Sequence, residues 1–121
     1  MYGGFSSDAL QKMYVEGSLK NEGDGFTFEI KNLIDSGSVS GIKALEVNGE
    51  EKPLDQVAVE MSGKVRQATD ITWSTSVYVS YGATLRIHGP GNLEPGEHTI
   101  KLTVSALDLG QLTLPITATL A

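Results

Sequence analysis

Few residues in this chain have side chains that commonly carry out chemistry, and those few are far apart in the sequence. The chain contains two histidines and no cysteine. Thiolate metal sites, cysteine nucleophiles and disulfides are therefore excluded. His98 follows the apolar phase of an alternating strand, whereas His88 follows the polar phase beside Arg86. If the two strands pair, Arg86, His88 and Lys101 share an outer face and form a small basic patch, which could hold a carboxylate, a phosphate or an acidic residue of a partner. The alternative is a solvated strand face.

The sequence predicts no catalytic residue, no metal and no cofactor. The aspartates fall in predicted turns, where aspartate is favoured for backbone reasons, and no pair has the spacing of a metal-binding loop; they are Asp24, Asp35, Asp55, Asp70 and Asp108. Glu50 and Glu51 are adjacent in a turn and therefore point apart. The chain lacks a nucleophile-elbow pattern. It also lacks a glycine-rich turn that leads from a strand into a helix, so no phosphate-binding loop is predicted.

Trp73 and two nearby tyrosines are the strongest candidates for a binding role. Trp73 lies in a stretch rich in serine and threonine, and Tyr78 and Tyr81 belong to the β-branched and aromatic segment that follows. A loop tryptophan on a β-sandwich can stack on a sugar ring or anchor a protein interface. The alternative is that Trp73 covers the hydrophobic core, and the tyrosines carry the same two alternatives. The predicted ligand or partner contacts are Trp73, Tyr78, Tyr81, Arg86, His88 and Lys101.

The elements that must position these residues are short strands. The segment from Glu94 to Glu97 places proline and glycine at the second and third positions of a type II turn. The residues after it alternate strictly between apolar and polar as far as Ala106, which is the period of a half-buried strand. The strand before the loop alternates in the same way, so the two strands are predicted to form an antiparallel pair.

The whole chain predicts an all-β fold. About eight or nine strands with frequent turns indicate an antiparallel β-sandwich or a partly closed barrel, with at most one short N-terminal helix. Its 121 residues predict one domain, in which residues 1–12 are a tail or the short helix and Met1 to Gly4 are a loose tail. Residues 13–20 are the first strand candidate, and residues 32–40 are predicted to be a polar connection. The last strand, residues 112–120, is predicted to lie at an edge, because Pro115 cannot donate to a ladder.

Charge limits the partners. Nine basic and fifteen acidic residues give a net charge of −6, which disfavours nucleic acid and anionic membranes. No stretch approaches the roughly 20 apolar residues of a membrane span, and the first residues lack the basic and apolar segments of a signal peptide. These observations predict a soluble cytoplasmic protein with neither a nucleic-acid nor a membrane partner.

Several sequence blocks are similar to a known family. They are Gly17-Ser18-Leu19-Lys20-Asn21, Gly25-Phe26-Thr27-Phe28-Glu29-Ile30, Leu45-Glu46-Val47-Asn48-Gly49-Glu50 and Leu93-Glu94-Pro95-Gly96-Glu97-His98. Together they resemble the β-subunit family of bacterial C-glycoside deglycosidases, and also an uncharacterised small all-β protein of a hyperthermophilic bacterium. In those deglycosidases the metal and the acid/base groups belong largely to a larger subunit, a sugar-isomerase-like barrel. The resemblance therefore implies an accessory subunit, with no catalytic residue of its own.

Three functions follow as hypotheses. The first is a non-catalytic β-sandwich that acts by association, as a homo-oligomer or as an accessory subunit of a larger carbohydrate-active enzyme. Its interface edge is predicted at Leu112, Leu114, Pro115 and Ile116, so Ile116→Lys should change the assembly state and leave the fold intact. The alternative is a stand-alone module that binds a carbohydrate or another small ligand through Trp73, Tyr78 and Tyr81. The third, a stand-alone enzyme, has the least support in the sequence.

Overall fold

A computed structural model describes residues 6–121. It contains one short helix, ten strands and two turns of 3₁₀ helix, at Leu54–Gln56 and Ala68–Asp70. The helix and strands are α1 (Ser7–Gln11), β1 (Lys20–Glu22), β2 (Gly25–Lys31), β3 (Gly37–Val47), β4 (Glu50–Glu51), β5 (Ala58–Met61), β6 (Lys64–Gln67), β7 (Val77–Val79), β8 (Thr84–Pro90), β9 (Gly96–Ala106) and β10 (Gly110–Leu120). The predicted all-β class is confirmed.

The strands form two antiparallel sheets that enclose one hydrophobic core. The order is β1-β2-β8-β5-β6 in the first sheet and β10-β9-β3-β4 in the second, where β7 also pairs with β3. Each of these pairings is antiparallel, and the sheets do not close into a barrel. The largest fully buried side chains come from both sheets; they include Phe26, Phe28, Leu45, Ile87, Ile100, Leu102 and Ile116. Of the two predicted architectures, the sandwich is therefore the observed one.

The predicted pairing of β8 with β9 is wrong. β8 lies between β2 and β5 in the first sheet, whereas β9 lies between β3 and β10 in the second. The connection between them is tied to the first sheet before it crosses, because the Asn92 amide donates to the carbonyls of Gly23 and Gly25, at 3.0 Å each. Asn21 holds the next residue, Leu93, by two further hydrogen bonds. The connection is thus a crossover between sheets and not a hairpin loop.

The N-terminal segment covers one side of the sandwich. Helix α1 falls within the N-terminal segment predicted to be a tail or a short helix, and it is capped at its start by the Ser6 hydroxyl, which accepts a hydrogen bond from the Ala9 N–H at 3.1 Å. The predicted strand over residues 13–20 is wrong, because the chain turns at Gly17, whose φ is +80°. Only a short stretch before the turn runs beside β2, where the Lys31 N–H donates to the Met13 carbonyl at 2.7 Å. The predicted tail, Met1 to Gly4, lies outside the described residues.

The second half of the predicted connection over residues 32–40 is a β-strand. It extends β3 back to Gly37, because β7 supplies ladder partners for Gly37, Ser38 and Val39. Its serines and glycines carry little strand signal of their own. The pairing with β7 therefore decides the conformation of this stretch.

A glycine in β8 fixes the packing of the core, and its replacement gives a first prediction. Gly89 lies opposite Phe26 in the ladder, and a Cβ atom there would overlap the Phe26 ring. Phe26 is 1% exposed, so its ring has no free space to move into. We expect Gly89→Ala to lower the free energy of unfolding by about 1–3 kcal/mol, the usual cost of overpacking. Gly37→Ala is the control, because nothing lies within 4 Å of the position that its Cβ would take. Equal urea midpoints for the two variants would contradict this packing.

Candidate functional site

An apolar cavity opens between the two sheets at one end of the sandwich. It lies where β2 ends and β8 and β10 begin, under the connection from β2 to β3. Its volume is ≈ 130 Å³. Its apolar lining residues come from both sheets and the N-terminal segment; they include Met13, Ile30, Ile34, Val39, Val79, Leu85, Leu102, Val104, Ala106, Leu109, Leu112 and Leu114. The walls of this cavity are thus mostly apolar, and the polar side chains among the lining residues are those of Asn32, Asp35, Ser36, Ser38 and Asp108.

Asn32 holds one side of the cavity's rim in place. Its side-chain amide donates to the carbonyl oxygens of Asp35, at 2.8 Å, and Val79, at 3.2 Å, and its Oδ1 accepts from the Ile34 N–H at 3.1 Å. Its backbone N–H donates to the Ala83 carbonyl at 2.9 Å. The connection from β2 to β3 is thus fastened to the turn after β7. The rim is therefore held together by hydrogen bonds within the protein itself.

The charged groups of the rim are acidic. Asp35 and Asp108 line the mouth of the cavity, and both are exposed. The Ser36 N–H donates to Asp35 Oδ1 at 2.8 Å, which orients that carboxylate. No lysine, arginine or histidine among residues 6–121 contributes to the lining of this cavity. The mouth therefore attracts cations and repels anions.

A second candidate surface, called here the aromatic surface, consists of Trp73, Tyr78 and Tyr81. Their exposed fractions are 78%, 60% and 60%. The alternative in which Trp73 covers the core is therefore wrong, and its predicted contact role stays a prediction. Trp73 projects from a tight turn in which Thr72 and Thr75 pair, so no apolar neighbour is needed to hold its backbone.

The aromatic surface continues onto an exposed leucine. Tyr78 lies opposite Ser38 in the ladder, and the Ser38 carbonyl accepts from the Leu107 N–H at 3.0 Å. Neighbouring strands lie about 4.8 Å apart, so Tyr78 and Leu107 flank Ser38 with backbones about 10 Å from each other. Leu107 is 55% exposed. Tyr81 lies nearby, since its N–H donates to the Ser36 hydroxyl at 2.8 Å. The same stretch, 36–38, lines the cavity on its inner side.

The predicted basic patch does not form. Lys101 belongs to the second sheet, opposite Glu46, so it shares no face with Arg86 or His88 of the first sheet. The reason is the crossover that separates β8 from β9. Whether any of the three contacts a ligand stays a prediction.

The two basic residues of β8 pair with acids on neighbouring strands. Arg86 donates to Glu29 at 3.0 Å, and this hydrogen bond raises the pKa of the arginine above its usual value. His88 Nε2 lies 2.9 Å from a carboxylate oxygen of Glu60. These pairs cross-link β2, β8 and β5 on the outer face of the first sheet. Their geometry is that of structural cross-strand pairs.

His98 is part of the fold and not of a reactive site. It is 8% exposed, and its Nε2 donates to the Glu94 carbonyl at 2.7 Å. Asn48 is oriented by the Thr99 N–H, which donates to Asn48 Oδ1 at 3.0 Å, so its amide group donates to His98 Nδ1 at 2.9 Å. Both ring nitrogens are therefore occupied, one by the turn that follows β3 and the other by the turn that precedes β9, and these two turns lie at the same end of the β3–β9 ladder.

The last strand lies at an edge, as predicted. β10 pairs along its length with β9 alone among the described strands. The Gln11 side chain bonds both the N–H and the carbonyl of Thr117, at 2.7 and 3.2 Å, so the backbone groups of Thr117 point away from β9. Since orientation alternates along a strand, Pro115 also points to the free edge, where its missing N–H breaks no ladder bond. Helix α1 thus covers part of this edge.

The side chains of the predicted interface edge divide between core and surface. Leu114 and Ile116 are 3% and 2% exposed, so they face the core. Leu112 is partly buried and lines the cavity, and Pro115 is partly buried on the other face. A partner at this edge would therefore meet backbone groups and threonines, and not the two buried side chains.

Neither a metal centre nor a membrane helix is found among residues 6–121. No group of three or more histidine, aspartate or glutamate side chains is placed to hold a metal ion there. No helix in that range has the length and apolar character needed to cross a bilayer.

Sequence reasoning does not find the cavity. Alternation places Leu85, Val104 and Leu112 on inward faces, but it does not show where facing side chains fail to meet. The one feature of the sequence that could indicate the cavity is the size of the side chains. At this end of the sandwich the facing residues are small, in the stretch 36–38 and again at Ala106.

Comparison with known proteins corrects the family assignment. The family model of the hydroxymethylglutaryl-CoA reductase N-terminal domain matches residues 9–121. No curated protein matches the chain. The resemblance to deglycosidase β-subunits, and with it to the hyperthermophile protein, is wrong, because this is a different family; the quoted blocks are strand and turn patterns that unrelated β-sandwiches share. The match covers nearly the whole chain, and the chain belongs to the family of hydroxymethylglutaryl-CoA reductase N-terminal domains.

Proposed function

We propose that this chain is a non-catalytic accessory domain that associates with the catalytic part of a hydroxymethylglutaryl-CoA reductase through its aromatic surface. The observation that carries the proposal is the exposure of Trp73, Tyr78 and Tyr81, together with the exposed Leu107 that lies across Ser38 from Tyr78. Tryptophan and tyrosine are enriched among the residues that dominate protein interfaces. The family match supports this choice of partner, since an N-terminal domain of a reductase has the rest of the reductase as its natural neighbour.

The charges of the domain support an accessory role over substrate binding. Coenzyme A thioesters carry several phosphate charges, and this chain has a net charge of −6. The cavity mouth adds Asp35 and Asp108, and no basic residue of the described chain lines it. The arginine of β8, Arg86, is already paired with Glu29. A polyanionic substrate would be repelled from the cavity, so the reaction is assigned to the partner.

Affinity capture with an activity readout tests this proposal. The tagged chain is used to capture proteins from its source cells, and the eluate is assayed for reduction of hydroxymethylglutaryl-CoA. We expect the isolated chain to be inactive and the captured complex to be active. The double variant Trp73→Ala/Tyr78→Ser should recover much less activity, because it removes two exposed anchors.

A matched control distinguishes binding through the aromatic surface from non-specific hydrophobic adsorption. Val65 is 57% exposed on β6, in the other sheet, so Val65→Ser removes a comparable exposed apolar side chain elsewhere. It should capture as much activity as the unmodified chain. If the double variant recovers as much reductase activity as the unmodified chain, the aromatic surface is not the interface. The alternative role of its residues in binding a small ligand would then be favoured. An eluate without reductase activity would overturn the proposed partner.

A further inference from the structure

We infer that the cavity between the two sheets is a binding site for a small molecule with an apolar body and a cationic head, of the class of short aliphatic amines. This inference goes beyond the accessory role, because the cavity lies between the sheets and the aromatic surface faces outward. It rests on the size of the cavity, the chemistry of its walls and the charge of its mouth.

The size of the cavity sets the size of the ligand. An engineered protein cavity of about 150 Å³ with Leu, Ile and Phe walls stays dry and binds benzene. The present cavity has ≈ 130 Å³ and walls of the same kind. It therefore accommodates a group of about five or six carbon atoms. A larger body, such as a sterol or a long acyl chain, would not fit inside.

The interior offers a ligand few polar partners. Among residues 6–121, no buried side-chain nitrogen or oxygen atom lacks a hydrogen bond. The Asn32 side chain, which lines the cavity, is occupied by the backbone of the rim on both its oxygen and its nitrogen. Burial of apolar surface is therefore the driving force inside the cavity, at about 25 cal/mol per Å². A polar group on the ligand has to remain at the mouth.

The mouth selects the charge of that group. Asp35 and Asp108 are both at the mouth, and the lining that the described residues form contains no basic side chain. An ammonium head would lie near two carboxylates, whereas a carboxylate head would be repelled by both. Each exposed pairing is worth little by itself, so we expect a preference of about three- to tenfold for an amine over the matching alcohol. Added salt should reduce this preference, because exposed charges are screened.

Three probes of equal chain length test the inference: hexylamine, hexan-1-ol and hexanoate. Each is titrated into the unmodified chain while the methyl resonances of Leu85, Val104 and Leu112 are followed by NMR. We expect saturable shifts of these methyls, with affinity falling from hexylamine to hexan-1-ol to hexanoate. The absence of saturable shifts with all three probes would overturn the site. Equal affinities for the three would overturn its charge selectivity.

Two variants and one control locate the binding. Ala106→Leu places a larger side chain in the cavity and should abolish the shifts without lowering the melting temperature. Ala44→Leu is its control, since Ala44 lies on a neighbouring strand and does not line the cavity. The double variant Asp35→Asn/Asp108→Asn should bind hexan-1-ol unchanged and lose the preference for hexylamine. Unchanged hexylamine affinity in both altered proteins would contradict the inference.

Discussion

Ile116→Lys is expected to unfold the domain at room temperature. Ile116 is 2% exposed and contributes to the core from the inner face of β10. Removing an isoleucine side chain from a core costs about 2–5 kcal/mol, and placing an ammonium group in an apolar interior costs several kcal/mol more. Together these costs approach the whole stability of a typical domain, about 5–15 kcal/mol. Circular dichroism should show no cooperative thermal transition.

The control for this variant lies on the same strand. Thr119 is exposed, and its side chain lies on the opposite face of β10. Thr119→Lys should therefore melt within a few degrees of the unmodified protein. A cooperative transition of normal temperature for Ile116→Lys would contradict the inward position of that side chain. It would also restore the expectation, drawn from the sequence, that this variant alters assembly and leaves the fold intact.

Asn48→Ala is expected to lower the free energy of unfolding by about 2–4 kcal/mol, through two separate losses. The first is the loss of two hydrogen bonds, one that the Asn48 amide group donates to His98 Nδ1 and one that Asn48 Oδ1 accepts from the Thr99 N–H. Leaving a buried histidine nitrogen without its partner costs about 1–3 kcal/mol. The second is backbone strain, because Asn48 has a φ of 53° and alanine tolerates that conformation less well, by about 1–2 kcal/mol.

Asn48→Gly separates the two losses. Glycine accepts a positive φ but has no side chain to reach His98, so it should show only the loss of hydrogen bonds. We therefore expect stability to fall in the order unmodified protein, Asn48→Gly, Asn48→Ala in chemical denaturation. Identical stabilities for the two variants would show that backbone strain at position 48 contributes nothing to the loss. A loss below about 0.5 kcal/mol for both, which is less than one typical hydrogen bond contributes, would contradict the bridging role of Asn48.

The local patterns predict much of this fold. Strict alternation identifies β2, β9 and β10, and the Asn48-Gly49 pair identifies the turn that ends β3, where both residues have positive φ. These features depend on neighbours in the sequence. The pairing of β8 with β9 is predicted on the same basis, since consecutive strands usually lie side by side. It is wrong because β8 pairs with β2 and β5, and β9 with β3 and β10, and these pairings join strands that are distant in sequence.

The candidate site is less predictable for the same physical reason. Residue type alone identifies Trp73, Tyr78 and Tyr81, but their exposure depends on what packs beside them. The cavity depends on the distance between two sheets, which alternation does not encode. Its one local sign in the sequence is the run of small residues over 36–38.

The central claim is that the aromatic surface binds the catalytic part of a reductase. The binding constant between this domain and the catalytic part of the captured reductase tests that claim most directly. It is measured by calorimetry for the unmodified chain, Trp73→Ala/Tyr78→Ser and Val65→Ser. Residues that dominate an interface contribute about 2 kcal/mol or more each, so the double variant, which removes two of them, should lose about 4 kcal/mol and bind several hundredfold more weakly. Val65→Ser should bind within about twofold of the unmodified chain, since a surface change away from the interface alters little. Equal binding by all three proteins would contradict the account.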